Sequence, residues 1–452
     1  MIVMKFGGSS LADAERFRVV SDIIREQLQR KPVIVLSALG DTTDYLLEAG
    51  DMALKTGNVS MAKIRDNHLA TVTELNVWDS IHDYVPLQEE LLSLLMGISM
   101  IRELTPRTKD YLVSFGERFS ARIMAAYLRS IGINAQAFDA WDIGFVSDSA
   151  FTRADLLKES WDIIPQHLNP LLDTGIVPVI TGFIAKDHDG NITTLGRGGS
   201  DRSATIIAAA CLAEEVQIWK DVDGILTADP RIVPHAQPVL EISYEEASEL
   251  AYFGAQVLHP RALRPCFKTN TPVIVKNSYN PSALGTKILK FCTGRTYPVI
   301  ALTARNNITL VDIVSTRMLG QPGFLAKVFA CFAHRDISVD ILATSEVSLS
   351  LTLDAEYDIE QLKPELEQIA AVTVQRGMAI ITLIVADVYR TSEVLHRAFG
   401  VCTRSNVQVL MVSQGATKVN ISFIIEDRHV RAVIQALHAE FFAPQNKELK
   451  LR

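Results

Sequence analysis

The sequence predicts a layered α/β domain followed by two smaller α+β units. Three observations point to it. Short apolar runs alternate with helical stretches over roughly residues 1–292, the pattern of a sheet covered by helices. The last third repeats one order of elements at an offset of 70 residues. The composition, 48% hydrophobic and 21% charged over 452 residues, supplies enough apolar side chains to bury the cores of about three domains.

The first segment reads strand, glycine turn, helix. Ile2–Phe6 is a short apolar run that Gly7 and Gly8 break, and Leu11, Phe17, Val20, Ile23 and Ile24 then recur near a 3.6-residue period. Residues 32–37 (PVIVLS) form a second strand, and residues from about 53 to 130 read as mostly helical. Residues 176–183 are another buried strand, and 186–191 hold a turn with Asp189-Gly190 at its tip. Residues 200–212 read as a buried helix and 216–219 as a strand. The linker expected before the last third is 293–298 (TGRTYP).

In the last third, Phe329 and Phe399 stand 70 residues apart, as do Val339 and Val409. Around them 309–314 matches 379–384, a helix near 324–334 matches one near 394–404, 337–342 matches 407–412, and 349–353 matches 419–423. A second helix closes each copy (359–369 and 430–441), and 372–374 is a final strand of the first. The domains expected are 1–292, 299–376 and 377–452, with strands of the last two open to exchange.

Composition also excludes functions. A net charge of -8 suits neither the wrapping of nucleic acid nor an anionic membrane surface. No apolar run approaches the ~18 residues of a membrane span. No basic region precedes the apolar residues of MIVMKFGGSS, as a secretory signal would need. Cys211, Cys266, Cys292, Cys331 and Cys402 include no C-x-x-C pair, so neither a disulfide framework nor a zinc ribbon is suggested. A reduced, cytoplasmic protein is expected.

Four segments could carry chemistry. Residues 5–10 (KFGGSS) end a strand in two glycines, whose backbone N–H groups could approach an anion beside Lys5. An ordinary turn with a surface lysine explains them about equally well. Residues 194–201 (TLGRGGSD) again open a helix. They are not the dinucleotide fingerprint, because Asp201 holds the third glycine position, and no G-x-x-x-x-G-K-[ST] occurs. Singly, Ser200 or Asp201 reads as a helix cap and Arg197 as a solvated loop residue. Two glycine turns with a cation each, in one α/β domain, tip the balance toward an anion site. Glu117 in 114–120 (SFGERFS) reads alone as an exposed helix glutamate. Residues 219–231 suit a nucleotide edge or a solvated turn equally.

Together these segments resemble a known family. KFGGSS, VLSALGDTTDYL (35–46), SFGERFS, TLGRGGSD, DVDGILTADPR (221–231) and YFGAQVLHPRAL (252–263) lie in the order found in aspartate kinases, of the amino acid kinase superfamily. The resemblance spans essentially the whole chain. It implies a three-layer amino acid kinase domain followed by two ferredoxin-like ACT domains. It also implies transfer of the ATP γ-phosphoryl to the side-chain carboxylate of L-aspartate. The chain stops at Arg452, without the homoserine dehydrogenase fused to some relatives, so a monofunctional enzyme is expected. Such a reaction needs no general base, because a carboxylate with a reference pKa near ~4 is already ionised at pH 7. It needs cations and N–H groups that bring an anion to a polyanion.

By resemblance, Lys5 sits on the transferring phosphoryl and Asp201 holds Lys5. Ser37, Thr43, Glu117, Arg197, Gly198, Gly199 and Ser200 form the substrate pocket, with Arg197 on the α-carboxylate and Glu117 on the ammonium. Gly7, Gly8 and Ser9 cradle phosphate oxygens, and Lys220, Asp221, Leu226, Arg231 and Gln256 line the nucleotide side. Mg2+ is expected on the nucleotide phosphates and water, with no protein cage. Three positions depart from the family: Lys220 replaces Ser or Thr, Leu226 a frequent aromatic, and Gln256 a lysine whose charge Lys220 would restore. Relatives acting on glutamate or acetylglutamate normally lack the tandem ACT pair and the SFGERFS helix. A silent ACT-domain sensor would be expected to lose Lys5, Arg197 or Asp201, and all three are present.

The two repeat copies differ. Asp340, Ser345 and Glu346 stand where the second copy has Leu410, Gly415 and Ala416, which favours a polar ligand site in the first. Met318-Leu319, 323–325, 338–340 and 344–348 match the lysine-sensitive aspartate kinases. The resemblance implies an L-lysine site at a dimer interface, built from Met318, Phe324, Leu325, Ser338, Val339, Asp340, Thr344, Ser345 and Glu346. It implies a homodimer through the ACT domains that could pair into a tetramer. Gly320 replaces a larger residue, which keeps threonine as the rival effector.

Overall fold

The computed structural model describes all residues except 82, 255–257, 293–297, 319–320, 387–390, 416–418 and 443–452. Gln256, Leu319, Gly320, Ala416 and all of the expected linker but Pro298 therefore lie outside the described residues.

Two compact units form. The first comprises Met1–Ile225, Leu240–Tyr244 and Val257–Phe291; the second comprises Leu226–Val239, Glu245–Gln256 and Cys292–Arg452. The span read as 1–292 is thus interrupted twice. The reason is side-chain burial: Ala228 and Val233 sit in one apolar core of the second unit and Phe253 in another.

In the first unit the strands are β1 (Ile2–Phe6), β2 (Pro32–Leu36), β3 (Ala135–Phe138), β4 (Val177–Thr181), β5 (Ile184–Lys186), β6 (Ile192–Thr194), β7 (Val216–Lys220), β8 (Glu241–Ser243), β9 (Val273–Asn277) and β10 (Thr286–Leu289). Eight of them make one sheet in the order β3-β4-β2-β1-β7-β9-β10-β8, parallel except at β9–β10. β5 and β6 pair as a separate hairpin around the expected Asp189-Gly190 turn. Strand alternation divides the sheet's faces. Ile2, Met4 and Phe6 join a core with Phe17, Leu46, Phe115 and Phe119 from the helices of residues 14–130. Lys5 therefore points to the other face, where helix Gly199–Ala210 packs. Helix Pro106–Ser130 starts where chemistry dictates: Thr105 accepts the Thr108 N–H at 3.2 Å and Pro106 takes the first position.

The second unit holds β11 (Val299–Val314), β12 (Leu342–Thr344), β13 (Ser348–Asp354), β14 (Ala371–Val385), β15 (Met411–Gln414) and β16 (Asn420–Glu426), antiparallel in the order β12-β13-β11-β14-β16-β15. Long β11 and β14 run through both repeat copies. Val311 and Ile313 pack with Phe324, Phe332, Leu362 and Leu366, whereas Val299 and Leu302 pack with Phe423, Leu437 and Phe441. Residues 372–374 are the start of β14 and not a separate strand. The strands expected at 337–342 and 407–412 begin only at Leu342 and Met411. Asp336 and Asn406, 70 residues apart, first take left-handed φ of 52° and 53°. Ile337 N–H then closes on Phe332 O at 3.0 Å and Val407 N–H on Cys402 O at 2.9 Å, ending each helix before extended chain can form.

Candidate active site

Lys5 is the penultimate residue of β1, and Asp201 is the third residue of helix Gly199–Ala210. Their charged groups meet at 2.6 Å, both buried. Lys220 ends the adjacent strand β7 and reaches the other Asp201 oxygen at 3.1 Å. Burial opposes the charge on Asp201, but Lys5 and then Lys220 outweigh it and hold the carboxyl at about 2. Burial also lowers the Lys5 ammonium, against the pull of Asp201.

The β1 and β2 ends are tied together. Ser37 N–H donates to Phe6 O at 3.1 Å, and Gly40 N–H to Gly8 O at 3.2 Å. A side chain at Gly8 would put Cβ 2.9 Å from Gly40 O and 3.1 Å from Ala38 O, so only glycine permits this approach. Gly198 precedes the helix at φ +71°, a conformation that suits glycine, with His259 against its α-carbon.

Glu117 is buried, contrary to the exposed helix glutamate it resembles in isolation. One oxygen accepts Ala38 N–H at 3.2 Å, and the other, also buried, has no hydrogen-bond partner among the described residues. Burial pushes its pKa up to about 8, with two backbone N–H groups and Lys5 opposing.

One cavity of about 860 Å³ gathers Lys5, Gly8, Ser37, Thr43, Glu117, Arg197, Gly198, Gly199, Ser200, Asp201 and Lys220. Among the described residues no carboxylate lies within ion-pair distance of Arg197. Asp44, Lys109, Asp110 and Phe183 also line the cavity and were not read from the sequence. Asp110 accepts Thr152 N–H at 2.8 Å, Thr194 N–H at 3.0 Å and the Thr194 hydroxyl at 2.8 Å. It stands seven residues before Glu117 on one helix face, a spacing that could have revealed it. Gly7, Ser9 and Asp221 do not line the cavity. Leu226 and Arg231, expected on the nucleotide side, belong to the second unit, and Arg231 closes on Asp229 at 2.7 Å. Their neighbours decide this: Leu302 N–H bonds Thr227 O at 2.8 Å, and Ala228 and Val233 are buried in that unit's core.

Of the effector residues, Phe324 is core, Met318 and Val339 pack on the same core, and Leu325, Ser338, Thr344, Ser345 and Glu346 are exposed. Asp340 is already engaged. Arg305 pairs with one of its oxygens at 2.9 Å, the Tyr252 hydroxyl donates to it at 3.2 Å, and the other oxygen is buried without a partner among the described residues. Burial raises the Asp340 pKa, with Arg305 opposing. Sequence reasoning missed Arg305 and Tyr252, which reach Asp340 from distant segments.

Among the described residues no three His, Cys, Asp or Glu side chains are grouped to hold a metal ion, and no helix is long and apolar enough to cross a membrane.

Residues 1–277 match the amino acid kinase family, and 311–360 with 381–441 match the ACT domain. Aspartokinase 1, chloroplastic, of Arabidopsis thaliana is 48% identical, over 97% of this chain and 80% of that relative. The chain belongs to the aspartokinase family. It is therefore an ATP-dependent kinase, with an amino acid kinase domain followed by ACT domains. Lysine-sensitive aspartokinase 3 of Escherichia coli is 35% identical over 98% of this chain and 99% of its own. The solved E. coli aspartokinase III in complex with aspartate and ADP aligns with a TM-score of 0.83 at 33% identity, covering 97% of this chain and 99% of that one. The same enzyme in complex with lysine and aspartate aligns with a TM-score of 0.80 at 34% identity, covering 98% and 99%.

Proposed function

We propose that this aspartokinase transfers the γ-phosphoryl of ATP to the side-chain carboxylate of L-aspartate, giving 4-phospho-L-aspartate, the first step toward lysine, threonine, methionine and diaminopimelate. One observation carries the reading. A buried carboxyl, Glu117, with one oxygen bare among the described residues, and a guanidinium, Arg197, with no carboxylate partner among them, line one cavity with the Lys5–Asp201–Lys220 cluster. The bare oxygen suits an ammonium and Arg197 an α-carboxylate. Ser37, Thr43 and the backbone of Gly198, Gly199 and Ser200 complete the pocket.

The acceptor carboxylate is ionised at neutral pH, so no residue has to take its proton. Lys5 meets the charge that builds on the transferring group, with Asp201 holding its ammonium in place. The Gly8 N–H, at the cavity, would take a phosphate oxygen, with Gly7 and Ser9 beside it, and Lys220 would face the nucleotide, with Asp221 next to it in the chain. Mg2+, when bound, neutralises charge on the nucleotide phosphates. Asp201 is committed to two lysines, so phosphate and water oxygens would hold the ion.

L-Lysine is the proposed effector, bound by the first ACT copy with Asp340 and Glu346 toward its ammonium groups, in a homodimer joined through the ACT domains. The E. coli complex with lysine supports this. A coupling of about 1–3 kcal/mol between two global states would suffice. The test is ATP- and Mg2+-dependent formation of aspartyl hydroxamate from L-aspartate and hydroxylamine, with lysine and threonine added separately. Activity suppressed by lysine supports both assignments. Suppression by threonine alone overturns the effector, and no product overturns the acceptor.

A further inference from the structure

The first unit contains a second cavity, of about 440 Å³, within the size range of small-molecule sites. It shares helix Pro106–Ser130 with the active cavity. Asp110 and Glu117 line the active cavity, whereas Tyr111 and Arg118 line the second, about 100° further round the helix.

Its electrostatics are unbalanced. Among the described residues Glu90 is the one carboxylate in the lining, and both its oxygens are engaged. Arg118 binds it through two nitrogens at 2.9 and 3.1 Å, and the Tyr111 hydroxyl donates to it at 2.6 Å. Two further cations line the cavity, Arg107 and Lys186, and among the described residues neither has a carboxylate within ion-pair distance. The Lys186 ammonium lies 4.1 Å from the centre of the Trp141 ring, and Asp142, beyond ion-pair distance, is the carboxylate whose charge it feels. Tyr111, Trp141, Leu94 and Ile192 supply the apolar wall.

We propose that this cavity binds a small organic anion, a carboxylate on a compact apolar body. The carboxylate would meet Lys186 and Arg107, and the body would lie against the aromatic wall. The kinase reaction proposed above uses none of these residues.

The test titrates benzoate, benzamide and inorganic phosphate into the full-length protein, followed by saturation-transfer NMR. Wild type is compared with Lys186→Gln and Arg107→Gln, two positions that are exposed or half-buried, with melting temperatures as the folding control. Benzoate should bind the wild type and lose roughly tenfold in affinity in each variant, the scale for removing one charged partner. Benzamide, equal in shape but neutral, should bind at least about tenfold more weakly than benzoate. Benzoate that fails to bind, or binds both variants as well as wild type, overturns the site; the second result would place it in the active cavity. Phosphate binding more tightly than benzoate with the same variant dependence overturns the organic character of the ligand. The readout is binding, so it does not depend on which acceptor the kinase uses.

Discussion

Lys5 and Lys220 meet the two oxygens of a single carboxylate, Asp201, at 2.6 and 3.1 Å. The three groups come from two neighbouring parallel strands and the helix packed on them. Removing one lysine leaves Asp201 a partner. Removing Asp201 leaves two ammonium groups facing each other without a counter-charge. Asp201→Ala should therefore destabilise the fold by about 3–5 kcal/mol, the scale for breaking a buried ion pair from one side. Lys5→Ala should cost less stability but lower turnover at least ~100-fold. Denaturant melts and hydroxamate kinetics on both variants check the contrast. A fall of only a few-fold in folded Lys5→Ala would show that Lys5 does not act on the phosphoryl group.

With Glu117 on the aspartate ammonium, as proposed, substrate binding should depend on pH. Its pKa of about 8 in the free protein lies far above the ordinary glutamate value, so at neutral pH it mostly carries a proton. An ammonium partner favours the carboxylate, and aspartate binding must then release that proton. The KM for aspartate should fall as pH rises from 6.5 toward 8, by up to about tenfold per unit. Glu117→Gln should flatten the profile and raise KM. The sign for folding is opposite. The folded state holds this proton more tightly than the unfolded chain, so Glu117 weakens stability progressively as pH rises through about 8. An unchanged pH profile in Glu117→Gln would remove Glu117 from the ammonium site.

Asp340 is tied to Arg305, and Arg305 also bonds Asp354. Asp340→Ala therefore leaves Arg305 with a partner, and the variant should fold. Loss of the carboxylate should raise the lysine concentration for half-inhibition at least about tenfold, the scale for losing one charged hydrogen-bond partner. Dose–response curves for lysine measure this directly, and an unchanged midpoint would place the effector elsewhere.

Gly8→Ala would drive a methyl group into the carbonyls of Gly40 and Ala38, at 2.9 and 3.1 Å. Both are backbone atoms and cannot rotate away. The β1 and β2 turns should separate, at a cost of roughly 1–3 kcal/mol and with reduced turnover. Thermal melts with the hydroxamate assay would register both effects.

Much of the candidate site's lining was legible because its signals are local. Lys5 with its glycine turn, and Arg197 through Asp201, each lie within a few residues of a strand end or helix start. Glu117 was less legible: the same residue on an exposed face would look identical, and its burial comes from the close packing of Gly116 on Ala38. That Leu226 and Arg231 fall in the second unit was not legible, because a turn after a strand does not say which core will take the next apolar residues.

The alternating strands and helices, the 70-residue repeat and the family's charged turns were readable along the chain, because each depends on residues close together in it. Only folding brings Lys220 to Lys5 on Asp201, leaves one Glu117 oxygen bare among the described residues, and sets Arg305 and Tyr252 on Asp340. These outcomes depend on which distant side chains meet, and on which of their charges burial leaves uncompensated.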